Sequence, residues 1–311
     1  MSGTLVFHHN GIGDYVMSLP ALRLIAQSAP SPLHLVHGDV PGSFLYDEIT
    51  ASHRSAVKVA PGRYAHRIDI NAISLGRRYD FFVSLATWDG PELRLLAERS
   101  GALVKVGFFS WCTLRLENQP AHDLLRMFAL VSPFAPGARL SDFTRPLRFN
   151  TGRALSRLPL LRRPERLLVV HGDTRREKMW PKARYDKVLT EFLRCSPTFR
   201  ATVLNFSEED LPRAGATRRV DFVRGVALAE AMRLVAEADL FLGIDSCMLH
   251  VADLCRVPGV ALFGPTRAEQ FGYCVAPASL TRNLQSIGAM DALSVAEVLD
   301  ALHVIRKEIE S

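Results

Sequence analysis

The sequence has few cysteines and no arrangement of them that suits a metal ion or a disulfide framework. No two of them form a C-x-x-C pair, and no histidines accompany them at the spacing of a metal site. Structural zinc sites and disulfide-rich folds both depend on such spacing, so we expect neither here. The five cysteines are Cys112, Cys195, Cys247, Cys255 and Cys274.

Long apolar runs are also missing. No stretch reaches the length of about 18 consecutive apolar residues that a membrane-spanning helix needs, and the N-terminus lacks the basic and apolar segments of a secretory signal. We expect a cytoplasmic protein that contacts a membrane at most peripherally, from its inner face. Because no basic run with interleaved aromatic residues occurs either, nucleic acid is not an expected partner.

Negative charge is in deficit, since 38 Lys and Arg residues face 32 Asp and Glu residues. The resulting net charge of +6 is carried mostly by arginine. Such a balance favours an anionic partner, either a phosphorylated or carboxylated substrate or a surface of acidic lipid. A solvated, arginine-rich surface without a partner is the alternative interpretation.

The chain is longer than one hydrophobic core usually supports, so its 311 residues predict two domains. Prolines and glycines are dense between residues 132 and 166, a stretch without a long periodic segment, which is typical of a linker between domains. We predict an N-terminal domain at 1–150 and a C-terminal domain at 151–311. An apolar stripe at 295–309 predicts a last helix that packs on either domain, the N-terminal one included.

Short β-type runs alternate with helical segments in both halves, which is the pattern of parallel sheets covered by helices. The first half has predicted strands at 4–8, 33–36, 56–59, 81–85 and 103–106 and helices at 19–26, 92–99 and 123–131. The second half has predicted strands at 167–171, 201–206, 240–243 and 260–263 and helices at 184–193, 229–236 and 246–255. Two Rossmann-like sheets imply a cleft between them, with ligands bound by loops that follow strands.

The first such loop, H-N-G-I-G-D, follows the strand at 4–8 and ends at Asp14. Gly11 and Gly13 allow the backbone to turn tightly and to approach a ligand closely. The third glycine of a dinucleotide-binding fingerprint is missing. At the mouth of a cleft, Asp14 suits the role of general base for an attacking hydroxyl group. Capping of the following helix is the simpler alternative.

The second loop, H-G-D-T-R-R-E-K-M-W-P at 171–181, also follows a predicted strand. Its hydroxyl, guanidinium and ammonium groups, among them Thr174 and Lys178, suit a diphosphate and the charge that develops on a leaving group. The alternative is a solvated turn whose cations pair with Asp173 and Glu177. We interpret Trp180 as a packing anchor.

The third loop follows the strand at 240–243 and contains Asp245, Ser246 and His250. Ser246 is placed to begin a helix, whose free N–H groups attract anions, whereas Asp245 suits sugar hydroxyls. A sugar phosphate would satisfy both features, and an N-cap with a buried structural histidine is the alternative. Further along, the turn F-G-P-T offers the hydroxyl of Thr266 to a phosphate.

Taken together, these stretches resemble glycosyltransferase family 9, the heptosyltransferase family. The resemblance covers G-D-x-x-x-x-L-P-A-L at 13–22, H-x-x-T-x-x-x-K-x-W-P at 171–181, D-S-x-x-x-H at 245–250 and F-G-P-T at 263–266. It implies a GT-B fold, an α/β architecture of two facing Rossmann-like domains with parallel sheets and an interdomain cleft. The N-terminal domain would bind the acceptor and the C-terminal domain the nucleotide-sugar donor.

The resemblance also implies roles for individual residues. Asp14 matches the position proposed as the base, Thr174 and Lys178 match positions that contact the donor phosphates, and Asp245 matches one that contacts the donor sugar. We assign Lys178 a catalytic role beside Asp14. The complete predicted donor site is Thr174, Lys178, Asp245, Ser246, His250 and Thr266.

The acceptor site is predicted with less support from motifs. Its candidates are Gly13, Arg63, Arg67 and Arg115, with ordinary surface arginines as the alternative. Two departures from the family pattern leave the donor open. Cys247 replaces a glycine near the expected phosphates, and Asp173 stands where a small or hydroxyl residue is usual.

The resulting hypothesis is an inverting, metal-independent glycosyltransferase that uses no cofactor. It would transfer a sugar, by resemblance heptose from ADP-heptose, to a lipopolysaccharide core, another glycan, a glycolipid or a small molecule. Lys178, Thr174 and the helix that begins near Ser246 would stabilise the leaving group. The alternatives are a nucleotide-sugar epimerase on the same architecture and a catalytically silent protein that binds sugar nucleotides.

Overall fold

The structure is a computed structural model that describes residues 3–39, 41–60, 67–117, 119–147, 149 and 165–311. The chain forms two compact units, Met1–Thr144 and Arg145–Ser311. The predicted domain boundary at 150/151 lies outside the described residues. In the predicted linker, the described part contains two short 3-10 helices, Ser132–Phe134 and Leu140–Asp142.

The first unit is built around a six-stranded parallel sheet with the strand order β3-β2-β1-β6-β7-β8. A separate antiparallel pair, β4 and β5, lies between β3 and β6 in the chain. The elements in chain order are β1 (Thr4–His8), α1 (Ile12–Ser28), β2 (Leu33–Gly38), β3 (His53–Val57), β4 (Val59–Ala60), β5 (Arg67–Ile68), β6 (Phe81–Ser84), α2 (Pro91–Arg99), β7 (Val104–Gly107), β8 (Leu114–Arg115) and α3 (Asp123–Val131).

The second unit repeats this winding in a six-stranded parallel sheet ordered β11-β10-β9-β12-β13-β14. Its elements are β9 (Arg166–His171), α4 (Lys182–Cys195), β10 (Phe199–Leu204), α5 (Pro212–Gly215), β11 (Val220–Val223), α6 (Leu228–Ala236), β12 (Leu240–Ile244), α7 (Cys247–Leu254), β13 (Gly259–Phe263), α8 (Ala268–Phe271), β14 (Thr281–Gln285) and α9 (Val295–Glu310). The predicted parallel α/β organisation is thereby confirmed.

Helix α1 begins seven residues before its predicted start at residue 19. It starts directly after Gly11 and continues through Pro20, which lies inside the helix. A proline in a helix interior removes one backbone hydrogen bond, and for that reason the pattern suggested a start near it. The earlier start places Asp14 in the first helical turn.

Three strands of the two six-stranded sheets escaped the sequence patterns because they lie at sheet edges and carry polar residues. β14 reads T-R-N-L-Q and alternates between buried or half-buried and exposed positions, and β11 contains an aspartate. β8 has two residues, both exposed. Strands that are open to water on one side need no continuous apolar run.

Each unit has its own apolar core. In the first unit the buried residues of the central strands, such as Phe7 and Phe82, pack with Leu93 and Leu96 of α2. In the second unit, α9 completes the core, since Val298, Leu302 and Ile305 are buried with residues of α4 and β13. The last helix therefore packs on the C-terminal unit.

Several histidines are buried, and their burial favours the neutral imidazole. Burial, together with nearby His9 and His37, lowers the pKa of His8 to about 3. Burial lowers the pKa of His171 to about 4, and it is also the main cause that lowers the pKa of His34 to about 4. A histidine of this kind binds a proton more readily in the unfolded chain than in the folded one.

We expect stability to fall as the pH decreases from about 6.5 towards 4. In this window the unfolded histidines take up protons and the folded ones do not, so each contributes a slope of up to about 1.4 kcal/mol per pH unit. Urea unfolding midpoints at pH 7, 6 and 5 would measure the effect. His34→Gln should flatten this dependence relative to the unsubstituted protein, because it removes one of the buried histidines. An unchanged slope for His34→Gln would contradict the assignment.

Candidate functional site

The predicted donor residues lie at the carboxyl-terminal edge of the second sheet. The chain winds from β9 through β10 to β11 on one side, and from β12 through β13 to β14 on the other. The strand order therefore reverses between β9 and β12, the position at which open α/β sheets bind ligands. The loop at 172–181 follows β9, and Asp245 follows β12 directly.

Lys178 and Asp245 form an ion pair across this reversal point. The Nζ atom of Lys178 lies 2.5 Å from Oδ2 of Asp245, and only 21% and 6% of the two side chains are exposed. The other carboxylate oxygen of Asp245 lies 3.9 Å from Nε2 of His250, which is itself buried. The predicted alternative, in which Lys178 pairs with Asp173 or Glu177 in a solvated turn, is wrong.

Ser246 occupies the N-cap position of α7, but its side chain does not cap the helix. Instead its Oγ atom lies 3.2 Å from Nδ1 of His171, the last residue of β9. The first N–H groups of α7 therefore lack the side-chain oxygen that usually accepts from them. The thiol of Cys247 interacts with two of them, its own N–H and that of Met248, and the positive end of the helix dipole attracts an anion to the same place.

The turn after β13 is held by a residue that the sequence analysis missed. The amide Nε2 of Gln285 donates to the carbonyl oxygens of Gly264 (3.1 Å) and Thr266 (3.2 Å), and its Oε1 accepts from the backbone of Ala268 (2.8 Å). The hydroxyl of Thr266 is buried and makes no hydrogen bond within the part of the chain that the structure describes. Gln285 could not be found from a motif because it lies 19 residues beyond the turn.

Packing fixes the loop that carries Thr174 and Lys178. Trp180 is fully buried and donates from Nε1 to the carbonyl oxygen of Leu293 (3.1 Å), so the predicted packing anchor is confirmed. A side chain at Gly172 would meet the ring of Tyr185 at 2.7 Å. Thr174 itself is half-buried between these two fixed ends.

The two departures from the family pattern have mild electrostatic effects. Cys247 is the first residue of α7, and burial raises the pKa of its thiol to about 11, so the side chain stays neutral. Asp173 is exposed, where solvent and salt screen its charge. Neither residue places a buried negative charge beside the open end of α7.

The predicted base lies at the corresponding edge of the first sheet. Asp14 is half-buried in the first turn of α1, and its Oδ2 accepts a hydrogen bond from the backbone N–H of Gly11 at 3.0 Å. The capping alternative is therefore realised. A capping carboxylate keeps lone pairs for a second partner, so the cap is compatible with the role of base, which stays a prediction.

A buried polar network fixes the backbone before Asp14. Asn10 donates to the carbonyl of Leu85 (2.9 Å) and accepts from the backbone N–H of Thr87 (3.0 Å), which joins the loops after β1 and β6. Trp88 donates from Nε1 to the carbonyl of His9 at 2.7 Å. His9 also contacts the hydroxyl of Tyr15 through Nδ1, at 3.1 Å. No motif indicated the contacts of Asn10 and Trp88, because they join positions 75 to 79 residues apart.

The predicted acceptor residues are described to different extents. Gly13 lies in the first turn of α1, half-buried beside Asp14. Arg115 is exposed at the end of β8, three strands away from β1. Arg67 begins β5, and its side chain is outside the description, as is the whole of Arg63. The roles of Arg63 and Arg67 in acceptor binding therefore stay predictions.

The described ranges contain neither a cluster of metal-ligating side chains nor a membrane-spanning helix. Residues 3–39, 41–60, 67–117, 119–147, 149 and 165–311 contain no group of three or more His, Cys, Asp or Glu residues that could hold a metal ion. In the same part of the chain, no helix is both long and apolar enough to cross a bilayer.

Comparisons with known proteins agree on one family. Residues 124–292, more than half of the chain, match the sequence profile of glycosyltransferase family 9 (heptosyltransferase). A comparison with curated protein sequences gives no significant match.

Solved structures share the fold along almost the whole chain. A glycosyl transferase of family 9 from Veillonella parvula is 17% identical, with a TM-score of 0.76, and the alignment covers 98% of this chain and 97% of that one. The E. coli heptosyltransferase WaaC with ADP is 16% identical, with a TM-score of 0.67 and coverage of 98% and 99%. A putative UDP-N-acetylglucosamine 2-epimerase from Listeria monocytogenes is 12% identical, with a TM-score of 0.54 and coverage of 99% and 90%. The α/β, GT-B-like fold is therefore confirmed, and the fold alone does not separate transferases from epimerases.

Proposed function

We propose, on the premise that this chain belongs to glycosyltransferase family 9, that it transfers heptose from an ADP-heptose to an acceptor hydroxyl group with inversion. The observation that carries the proposal is the Lys178–Asp245 pair beside the uncapped start of α7. Cationic and dipolar groups there suit a diphosphate, and a carboxylate suits sugar hydroxyls. The acceptor is a lipopolysaccharide core, another glycan, a glycolipid or a small molecule.

The donor half of the proposal assigns separate tasks to neighbouring groups. The N–H groups at the start of α7 and the ammonium of Lys178 bind the diphosphate. Asp245 accepts from hydroxyl groups of the transferred sugar, while Lys178 neutralises its charge and His250 lies 3.9 Å from its other oxygen. The hydroxyls of Thr174 and Thr266 donate to phosphate oxygens from the loops on either side of Asp245. The nucleotide named with a structural relative, the E. coli heptosyltransferase WaaC with ADP, supports an adenine nucleotide.

The chemical step is a single displacement at the anomeric carbon. Asp14 takes the proton of the acceptor hydroxyl, whose oxygen forms a bond to the anomeric carbon as the bond to the diphosphate oxygen breaks. The electron pair of that bond leaves with the nucleotide diphosphate. Lys178 and the helix dipole stabilise the added negative charge, a task that a metal ion performs in other sites. We propose that no metal ion and no cofactor takes part.

Nucleotide binding gives the first test. A ligand that binds only the folded state raises the unfolding temperature, and at 100 times its dissociation constant it adds about 2.7 kcal/mol. We expect ADP and ADP-heptose to raise the thermal midpoint more than GDP or UDP at equal concentration. Ser246→Gly removes the contact to His171 but not the helix N-terminus, so it should weaken the shift only partly. A larger shift with UDP would contradict the heptose donor.

Product analysis separates the alternatives. We expect transfer of heptose from ADP-heptose to an acceptor panel of lipopolysaccharide core sugars and glycolipids, with ADP as the second product. An epimerase would convert the donor to an isomer in the absence of any acceptor. A silent binding protein would show the ADP-induced thermal shift and release no ADP with any acceptor.

A further inference from the structure

Two of the three tryptophans in the chain lie at the carboxyl-terminal edge of the first sheet. Trp88 follows β6, whereas Phe109 and Trp111 follow β7. All three are partly buried and pack against the core of the first unit, and the proposed transfer step uses none of them. Trp88, Phe109 and Trp111 together are called the aromatic platform below.

Two rings of the platform, Trp111 and Phe109, lie next to the core residue Phe82. Phe82 is fully buried, Trp111 lies next to it at a ring-centre distance of 6.3 Å, and Phe109 lies over Trp111 at 5.6 Å with 19° between the ring planes. Stacking of this kind covers one face of each ring and holds the two rings in a fixed orientation to each other. The outer members, Phe109 and Trp111, each keep part of their surface in contact with solvent.

A carboxylate fixes the indole of Trp111. Its Nε1–H donates to Oδ1 of Asp89 at 3.0 Å, and the guanidinium of Arg94 binds the same carboxylate. The Arg94 hydrogen bond lowers the pKa of Asp89, so the acceptor for the indole N–H stays ionised. Such an arrangement holds the ring in one orientation before any ligand arrives, which reduces the cost of binding.

The platform is continuous with the loop that carries Asp14. Trp88 contacts His9 both through its Nε1–H and through its ring, at a ring-centre distance of 6.3 Å. β6 lies beside β1, and β7 is the next strand. Since neighbouring strands are roughly 4.8 Å apart, the end of β7 is about 10 Å from the end of β1. One or two sugar rings span that distance.

We infer that the aromatic platform binds a pyranose ring of the acceptor, by its apolar C–H face, beside the hydroxyl group that Asp14 deprotonates. The face of an aromatic ring carries negative potential, which attracts the weakly positive C–H groups on one side of a sugar ring. Thr87 is exposed within the same edge, and its hydroxyl oxygen suits the hydroxyl groups around that ring. The inference rests on the proposed transferase function, and it names a sugar as the acceptor.

Saturation-transfer NMR with simple sugars tests the platform directly. The probes are methyl α-D-mannopyranoside and methyl β-D-galactopyranoside, with irradiation of the aromatic protons of the protein. We expect saturation of the C–H protons of at least one probe, and a loss of most of that signal in Phe109→Leu and Trp111→Phe. Leu103→Ala is the matched control, since Leu103 is 81% exposed and lies at the opposite edge, just before β7.

Kinetics with a transferred acceptor give the second measurement. We expect Phe109→Leu and Trp111→Phe to raise the acceptor KM by up to about tenfold, in line with the energies of aromatic contacts, at a nearly unchanged kcat. Circular dichroism and the ADP-induced thermal shift verify that the variants are folded. Trp111→Phe removes a hydrogen bond and Phe109→Leu does not. If both variants raise the acceptor KM to a similar degree, a purely structural effect is excluded.

The outcomes distinguish this inference from the proposed function. If the protein binds ADP and transfers heptose, but neither variant changes the NMR signal or the acceptor KM, the platform inference is overturned and the function stands. If ADP does not bind, the proposed function is contradicted. The glycoside signal then still shows whether the aromatic platform binds a sugar ring. If both glycosides give no signal and the variants instead abolish sedimentation with phosphatidylglycerol-containing vesicles, the platform is a membrane contact and the inference is overturned.

Discussion

Lys178→Met is expected to reduce transfer by roughly 10²–10³-fold, the effect of removing one group that stabilises charge in a transition state. The same change leaves Asp245 with 6% of its side chain exposed and without its cation. Breaking a buried pair in this way costs about 3 kcal/mol, the lower end of the usual range, because a fifth of the Lys178 side chain is exposed. A fall of several degrees in the thermal midpoint should accompany the loss of activity.

A second substitution separates these two effects. In Lys178→Met/Asp245→Asn no buried charge is left unpaired, so we expect most of the lost stability to return while transfer stays low. Lys182→Met is the control for charge alone, since Lys182 pairs with Asp210 at 2.7 Å in an exposed position. Exposed pairs contribute little, so this variant should change neither quantity strongly. Recovery of transfer in the double variant would show that the ammonium of Lys178 is not used.

Asp14→Asn should lower transfer by roughly 10²–10⁴-fold, because an amide cannot take the proton of the acceptor hydroxyl. Stability should change little, since the amide oxygen can still accept from the N–H of Gly11, as Oδ2 of Asp14 does at 3.0 Å. Nucleotide binding should not change, because the predicted donor residues all belong to the other unit. Turnover numbers measured at saturating donor, together with ADP-induced thermal shifts, would check all three expectations.

Two further variants define the contribution of the carboxylate. Asp14→Ala also removes the cap, so it should cost an additional 0.5–2 kcal/mol or so of stability. Asp47→Asn replaces an exposed carboxylate of the same unit and should leave transfer unchanged. Near-normal turnover in Asp14→Asn, with donor binding intact, would remove Asp14 from the mechanism and leave it as a helix cap.

The parallel sheets could be predicted because their central strands are buried on both faces. β1 and α3 have the predicted bounds, and the other central strands differ by one or two residues. Prediction was poorer where core packing or strand pairing, and not the local sequence pattern, determined the structure. α1 tolerates Pro20 since eleven of its residues, Pro20 included, are buried, and packing there outweighs one lost hydrogen bond. Edge strands such as β14 are set by pairing with a neighbour more than by their own residues.

For the candidate site, the sequence indicated the correct loops but not the partners of their side chains. Lys178 and Asp245 are 67 residues apart, and local spacing suggested Asp173 or Glu177 as the partner instead. The contact of Ser246 with His171 joins positions 75 residues apart. Both contacts arise because β9 and β12 are neighbours in the sheet, a property of topology that no single motif contains.

The two sheets wind in the same order, from a central strand to one edge and then from the centre to the other edge. Each sheet therefore presents its loops at an equivalent reversal point. The strands that support these loops do not depend on which residues the loops contain. Under the proposed function, substitutions after β6 or β7 should alter acceptor recognition and leave the donor residues after β9 and β12 unchanged. Natural variation and laboratory recombination should then exchange the partner of one unit while the other keeps its own. Chimeras that exchange loops should yield new substrate pairs more often than random mutation of the strands.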